Sequence, residues 1–196
     1  MVADYLALLR ELSALDPPLF VFGSIAEAAL LDGRLNETHG DVDLLIPRTE
    51  LDLRLRQLGE LGFARFTVYY EPRPGLPLVY GSHREDVALE LSLLDVDTDG
   101  DPYFVVTTDD GPAAISVPAG LFQWAPTIID GVPIRTVSPL ALVHIRAGAA
   151  ATRAFGPSRP HADGTRQARL IDAFLSDIGP REREPTVTPI TDKQTD

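Results

Sequence analysis

The 196-residue chain predicts an α+β fold: a small mixed β-sheet with packed helices and a helical C-terminal segment. Three observations predict it. Helical and strand patterns alternate at the start, strand patterns then follow one another, and helical patterns close the chain. An apolar strand, Phe20-Val21-Phe22, breaks into a Gly23-Ser24 turn. A second strand, Asp41-Val42-Asp43-Leu44, carries acid on one face and apolar residues on the other, because side chains alternate along a strand.

Each element has a local reason. Ala3–Leu15 sets Tyr5, Leu6, Leu8, Leu9, Leu12 and Leu15 on one helical stripe, and Pro17-Pro18 stops it. Leu19–Phe22 reads as a buried strand, Ser24–Leu31 as a helix, Asp32–Gly40 as a loop and Asp41–Ile46 as the next strand. Thr49–Leu61 reads as an amphipathic helix with Thr49 and Asp52 at capping-box spacing and Gly62 as its stop. Phe63–Tyr70 reads as a strand and Glu71–Pro77 as a Pro-rich turn. Val87–Leu94 is a strand with Tyr103–Thr108 as its hairpin partner, and Pro118–Phe122 a short helical turn. Thr127–Ile129 and Val132–Thr136, split by Asp130-Gly131, form a hairpin. Ser138-Pro139 opens a helix to about Ala151, with Ser at the N-cap and Pro at the first position. Phe155–Asp163 is a loop and Gly164–Ile178 a last helix. Beyond Gly179 the chain is polar and Pro-bearing, which predicts disorder. Three divisions follow: 1–136 as a core, 137–178 as a C-terminal helical segment, and 179–196 as a disordered tail.

Composition narrows the function. An apolar fraction of 44% is ordinary for a soluble globular chain, and no apolar run approaches the ~20 residues of a membrane span. The first residues carry acid and no basic run, so no signal peptide is expected and the cytoplasm is the expected location. No cysteine is present, which excludes disulfides, thiolate metal sites and cysteine nucleophiles. No G-x-S-x-G elbow is present, which argues against a serine hydrolase. The net charge is −12, of which residues 180–196 contribute −1 and the folded body −11. Such a field favours cationic partners and repels nucleic acid at long range. Lys193 is the only lysine, so a phosphate-binding cation in the body must be Arg, or His when protonated.

The acidic residues carry the chemistry. Asp41 and Asp43 share one strand face, an arrangement suited to a divalent cation between them or to a wet surface. Gly23-Ser24, between a strand and a helix, suits phosphate: glycine admits close approach and the helix start presents free N–H groups. Ser24 with Glu27 also fits a capping box, and the two roles are compatible. Glu90 lies inside the apolar run Val87–Leu94, where a carboxylate is costly unless paired or metal-bound; the bland alternative is a wet edge strand. Asp95–Gly100 mimics the start of a calcium loop, but Val106 stands where the bidentate Glu is required. His39 adjoins the acidic pair and is placed to orient it; His83, His144 and His161 show no metal spacing.

Gly23-Ser24, Asp41-x-Asp43 and Glu90, in that order, resemble the nucleotidyltransferase superfamily with the DNA polymerase β-like fold. Leu31–Arg34, His39–Leu44, Gly62-Phe63 and Gly131–Leu140 extend the resemblance toward the aminoglycoside and lincosamide nucleotidyltransferases, over roughly residues 18–175. The resemblance implies an Mg²⁺-dependent transfer of a nucleoside monophosphate from an NTP to an acceptor hydroxyl, with two Mg²⁺ ions as cofactor. By it, Gly23 and Ser24 contact the triphosphate, Asp41 and Asp43 bind metal, and Glu90 is base or metal ligand. Arg146 falls where such proteins place a triphosphate-binding Lys. Four departures stand out: Gly-Ser for Gly-Gly, no Arg in Asn36–His39 with Arg34 as a substitute, Glu90 for Asp, and Arg146 for Lys. The acidic body makes a small cationic antibiotic-like molecule the first choice of acceptor. A toxin acting on tRNA, with an antitoxin partner, is the alternative; Arg34, Arg48, Arg146, Arg153, Arg159, Arg166 and Arg169 would have to supply its groove. A catalytically degenerate binding or regulatory protein is the third possibility. No membrane partner is expected.

Overall fold

The computed structural model describes residues 2–35, 40–118, 120–152 and 164–190. Helix α1 (Val2–Ser13) leads to strand β1 (Phe20–Phe22), helix α2 (Gly23–Leu31) and strand β2 (Val42–Pro47). A 3₁₀ turn, Arg48–Glu50, runs into helix α3 (Leu51–Glu60). Strands β3 (Thr67–Tyr70), β4 (Val79–Arg84), β5 (Val87–Val96), β6 (Pro102–Thr108) and β7 (Gly111–Ser116) follow, then the hairpin β8 (Thr127–Ile129) and β9 (Val132–Ile134). Helices α4 (Pro139–Thr152) and α5 (Gly164–Phe174), a second 3₁₀ turn (Pro180–Arg183) and strand β10 (Val187–Pro189) complete the described chain.

The fold is α+β, with a mixed sheet, as its alternating patterns imply. Strand β2 is its axis: β1 pairs with it antiparallel and β5 parallel. Beyond β5, β4 and then β3 add antiparallel. The far end of β5 passes the sheet on to β6, β7 and β10. Val42, Leu44 and Ile46 from β2 and Leu89, Leu91 and Leu93 from β5 fill the core behind this centre. Leu45 on the opposite face is also fully buried, so β2 is covered on both sides at that point, two residues beyond the half-buried Asp43. Among the described residues no helix is long and apolar enough to cross a membrane.

Several local expectations hold. The Ser138 hydroxyl accepts a hydrogen bond from Ala141 N (3.2 Å), capping α4. Asp130 and Gly131 take φ of 46° and 77°, the left-handed pair that a tight hairpin needs. Others are corrected. Helix α3 has no side-chain cap; the 3₁₀ turn precedes it, and Arg54 seats it instead, donating to Glu50 and to the carbonyls of Pro17 and Pro18. Strand β3 starts at Thr67, not Phe63, whose ring is buried in the core. Tyr103–Thr108, the expected hairpin partner of β5, meets it only at Asp95–Tyr103 and Val96–Pro102; β6 pairs along its length with β7. Strands β4 and β7 have no local signal, since Gly-Ser-His and Gly-Pro-Ala-Ala show little strand propensity. Residues 180–190 are folded rather than disordered: β10 pairs antiparallel with β7, and His144 Nε2 lies 3.0 Å from the Glu182 carbonyl oxygen. Residues 191–196 lie outside the described residues.

Candidate active site

The site forms where one register row crosses the sheet: Phe22 opposite Asp43, Asp43 beside Glu90, Glu90 opposite Gly81. Paired residues share a face, so the Asp43 and Glu90 carboxylates emerge together, and Asp41, two residues before Asp43, joins them. One carboxylate oxygen from each of Asp41, Asp43 and Glu90 lies within 4.8 Å of the others. Glu90 is 9% exposed and belongs to a strand with partners on both edges. The wet-edge alternative therefore does not apply to it.

Gly23 ends β1 and begins α2, next to this row. It takes φ +67°, and a Cβ built there would overlap Asp43 Oδ2. The turn thus lies directly on the carboxylate, in a conformation glycine adopts without strain. Phe22 is the N-cap of α2 and makes no side-chain cap bond, and the helix begins at the Gly23 turn, directly beside the Asp43 carboxylate. Ser24 lies inside the first turn and is not the N-cap. Three hard oxygen donors beside a backbone cradle fit a divalent cation and an anionic ligand together.

The chain matches no protein-family model and no curated protein at a significant level. Its backbone superposes on solved structures. The solution structure of the antibiotic-resistance factor ANT(2'')-Ia gives a TM-score of 0.63 at 19% identity, over 93% of this chain and 89% of that one. The crystal structure of ANT(2'')-Ia with adenylyl-2''-tobramycin gives 0.64 at 19% identity, over 92% and 95%. The lincomycin-bound lincosamide antibiotic adenylyltransferase LnuA gives 0.53 at 14% identity, over 87% and 96%. The fold is that of the antibiotic nucleotidyltransferases.

Within this nucleotidyltransferase fold, one residue that sequence patterns had placed elsewhere becomes central. With Phe22 as the N-cap of α2, Glu27 lies in the second turn of the helix rather than at the third position where a capping box needs its carboxylate. It is 1% exposed, forms an ion pair with Arg146 on α4, and lies 3.9 Å from Arg166 on α5. A charge buried so deeply must be compensated, and the two guanidinium groups do this while locking α2 to the C-terminal helices. Gly23 and Glu27 are about one helical turn apart, which places the Glu27–Arg146 pair one turn from the N-terminal end of α2. Tyr5 on α1 also senses the site: burial pushes its phenol up, and the charge of Asp41 raises it further. Of the other arginines, Arg48 forms a bidentate pair with Asp95, and Arg169 pairs with Asp32 at 2.6 Å. His39, Arg153 and Arg159 lie outside the described residues.

Proposed function

We propose that the protein is a nucleotidyltransferase that moves a nucleoside monophosphate from an NTP to a hydroxyl of a small antibiotic-like acceptor. The observation that carries this reading is the gathering of Asp41, Asp43 and Glu90 within 4.8 Å against the Gly23 turn. The fold shared with ANT(2'')-Ia and LnuA supports it. Asp41, Asp43 and Glu90 would hold Mg²⁺, which would supply charge neutralisation at the transferring phosphoryl group.

The chain's own residues do the remainder. Gly23 and Ser24 take the triphosphate at the positive N-terminal end of α2. Arg146 adds a positive charge from behind that turn. Glu90 lies on the side of Asp43 away from Gly23, where it holds the entering hydroxyl or accepts its proton. The rigid register row fixes these groups relative to one another, which is most of what phosphoryl transfer asks of a protein. The acidic body draws a cationic acceptor toward the site.

The test is incubation with Mg²⁺ and each labelled NTP against tobramycin, lincomycin and total tRNA. Label is expected on a small molecule. Label on tRNA alone would overturn the acceptor assignment, and no label anywhere, with no nucleotide-dependent thermal shift, would favour a binding protein. Asp41→Asn and Asp43→Asn should each lower transfer on the order of 10³-fold, several kcal/mol of barrier, while the far-UV spectrum stays native. Normal turnover in either variant would remove the metal assignment.

A further inference from the structure

Continuing the register row past Glu90 leads to a group with no part in metal or phosphate binding. Glu90 is opposite Gly81 on β4, and Gly81 is opposite Thr67 on β3. Between Val68 and Tyr70 the register of β3 slips, so Tyr69 is the extra residue of a bulge. A Cβ built on Gly81 would overlap Cε2 and Cζ of the Tyr69 ring. The ring therefore occupies the space that a side chain at position 81 would fill. Opposed residues of an antiparallel pair share a face, so the ring lies on the face from which Glu90 emerges. It is nevertheless 49% exposed.

The bulge is held from behind. Thr107 N donates to the Tyr70 hydroxyl (3.0 Å), Leu78 N donates to the Tyr70 carbonyl (2.9 Å), and the Thr107 hydroxyl donates to the Pro72 carbonyl (2.9 Å). Tyr69 is thus an aromatic face fixed on a braced backbone, with one side on the Gly81 backbone and the rest open to solvent beside an acidic cluster.

We propose that Tyr69 is the platform on which the acceptor docks, its ring stacking against the saturated ring of a cationic amino sugar. The inference rests on the nucleotidyl-transfer reading for the order of its groups. Across the sheet that order is the Gly23 turn, Asp43, Glu90 and then Gly81 under Tyr69, with neighbouring strands about 4.8 Å apart. In an in-line displacement the entering oxygen and the leaving pyrophosphate lie on opposite sides of phosphorus. With pyrophosphate at Gly23 and Ser24, the acceptor enters from the Glu90 side, where Tyr69 stands. An aromatic face attracts ammonium groups and packs against an apolar ring surface, and the nearby carboxylates strengthen the first effect. Gly81 is what allows the platform: any larger residue there would displace the ring.

The test uses the full chain and tobramycin, read by steady-state kinetics and by calorimetric binding in the presence of Mg²⁺ and a non-hydrolysable ATP analogue. Tyr69→Ala should raise KM and Kd for tobramycin about tenfold, with the nucleotide KM within twofold of wild type. Tyr69→Phe, which keeps the ring and loses the hydroxyl, should stay near wild type. Gly81→Ala should resemble Tyr69→Ala if it folds. Unchanged tobramycin affinity in Tyr69→Ala, or a rise in the nucleotide KM instead, would overturn the assignment; the second result would make Tyr69 a nucleobase contact. A wild type that does not bind tobramycin overturns it as well. A wild type that binds tobramycin in a Tyr69-dependent way but transfers no nucleotide sinks the proposed activity and leaves this inference standing.

Discussion

Gly23 illustrates how one missing side chain organises the centre of the molecule. Its φ of +67° is open to glycine and strained for other residues, and Asp43 Oδ2 fills the place of its Cβ. Gly23→Ala should therefore cost about 1–3 kcal/mol of stability through backbone strain alone, and more through the displaced carboxylate. Nucleotide transfer should fall further than stability, because the shifted atom belongs to the proposed metal site; thermal unfolding and turnover on one preparation separate the two effects. Glu27 and Arg146 make the complementary case. Arg146→Ala leaves a deeply buried carboxylate without its nearest guanidinium, with Arg166 only at 3.9 Å. The expected loss is about 3 kcal/mol, the lower end for a broken buried pair, since Arg146 keeps a fifth of its side-chain surface in water. For a chain of this size that is roughly 6–12 °C in Tm. The double variant Glu27→Ala/Arg146→Ala should recover part of it, because no buried charge is then stranded. A nucleotide KM raised about tenfold in Arg146→Ala, measured well below its Tm, would show that the same guanidinium also serves the triphosphate.

Among the elements, β5 and β10 show how position in the sheet overrides local sequence. Read alone, Glu90 in Val87–Val96 could sit on a wet edge; with β2 on one side and β4 on the other it is enclosed, and its carboxylate has only the site to face. Strand β10 runs the other way: a Pro-bearing polar segment becomes ordered because β7 offers it an unpaired edge, with Val187 opposite Ile115 and Pro189 opposite Ala113. Truncation after Gly179 should therefore destabilise the protein by about 2–4 kcal/mol, the loss of a few ladder hydrogen bonds and of the cover over Ala113 and Ile115. Urea denaturation of the truncated and full chains measures it, and an exposed β7 edge should also make the shorter chain prone to associate.

For the molecule as a whole, charge is the property with a functional consequence. A net charge of −12 concentrates cations near every acidic cleft. The KM for a cationic acceptor such as tobramycin should rise steadily between 50 mM and 500 mM salt, as the screening length falls from above ~10 Å toward ~4 Å, while that of an uncharged acceptor should hardly move. Much of this was legible in the amino-acid order. The alternation in Asp41–Leu44 sets which side chains share a face, the Gly-Ser break marks where β1 turns into α2, and Ser138-Pro139 and Asp130-Gly131 announce a helix start and a hairpin, because all of these depend on residues within one turn of each other. What local order could not decide was neighbourhood. Asp43 and Glu90 are adjacent only because β2 and β5 pair in parallel across an intervening helix and two strands. Glu27 meets Arg146, and Tyr69 covers Gly81, for the same reason: contacts between segments distant along the chain are selected by packing of the whole core, and nothing in either segment alone encodes its partner.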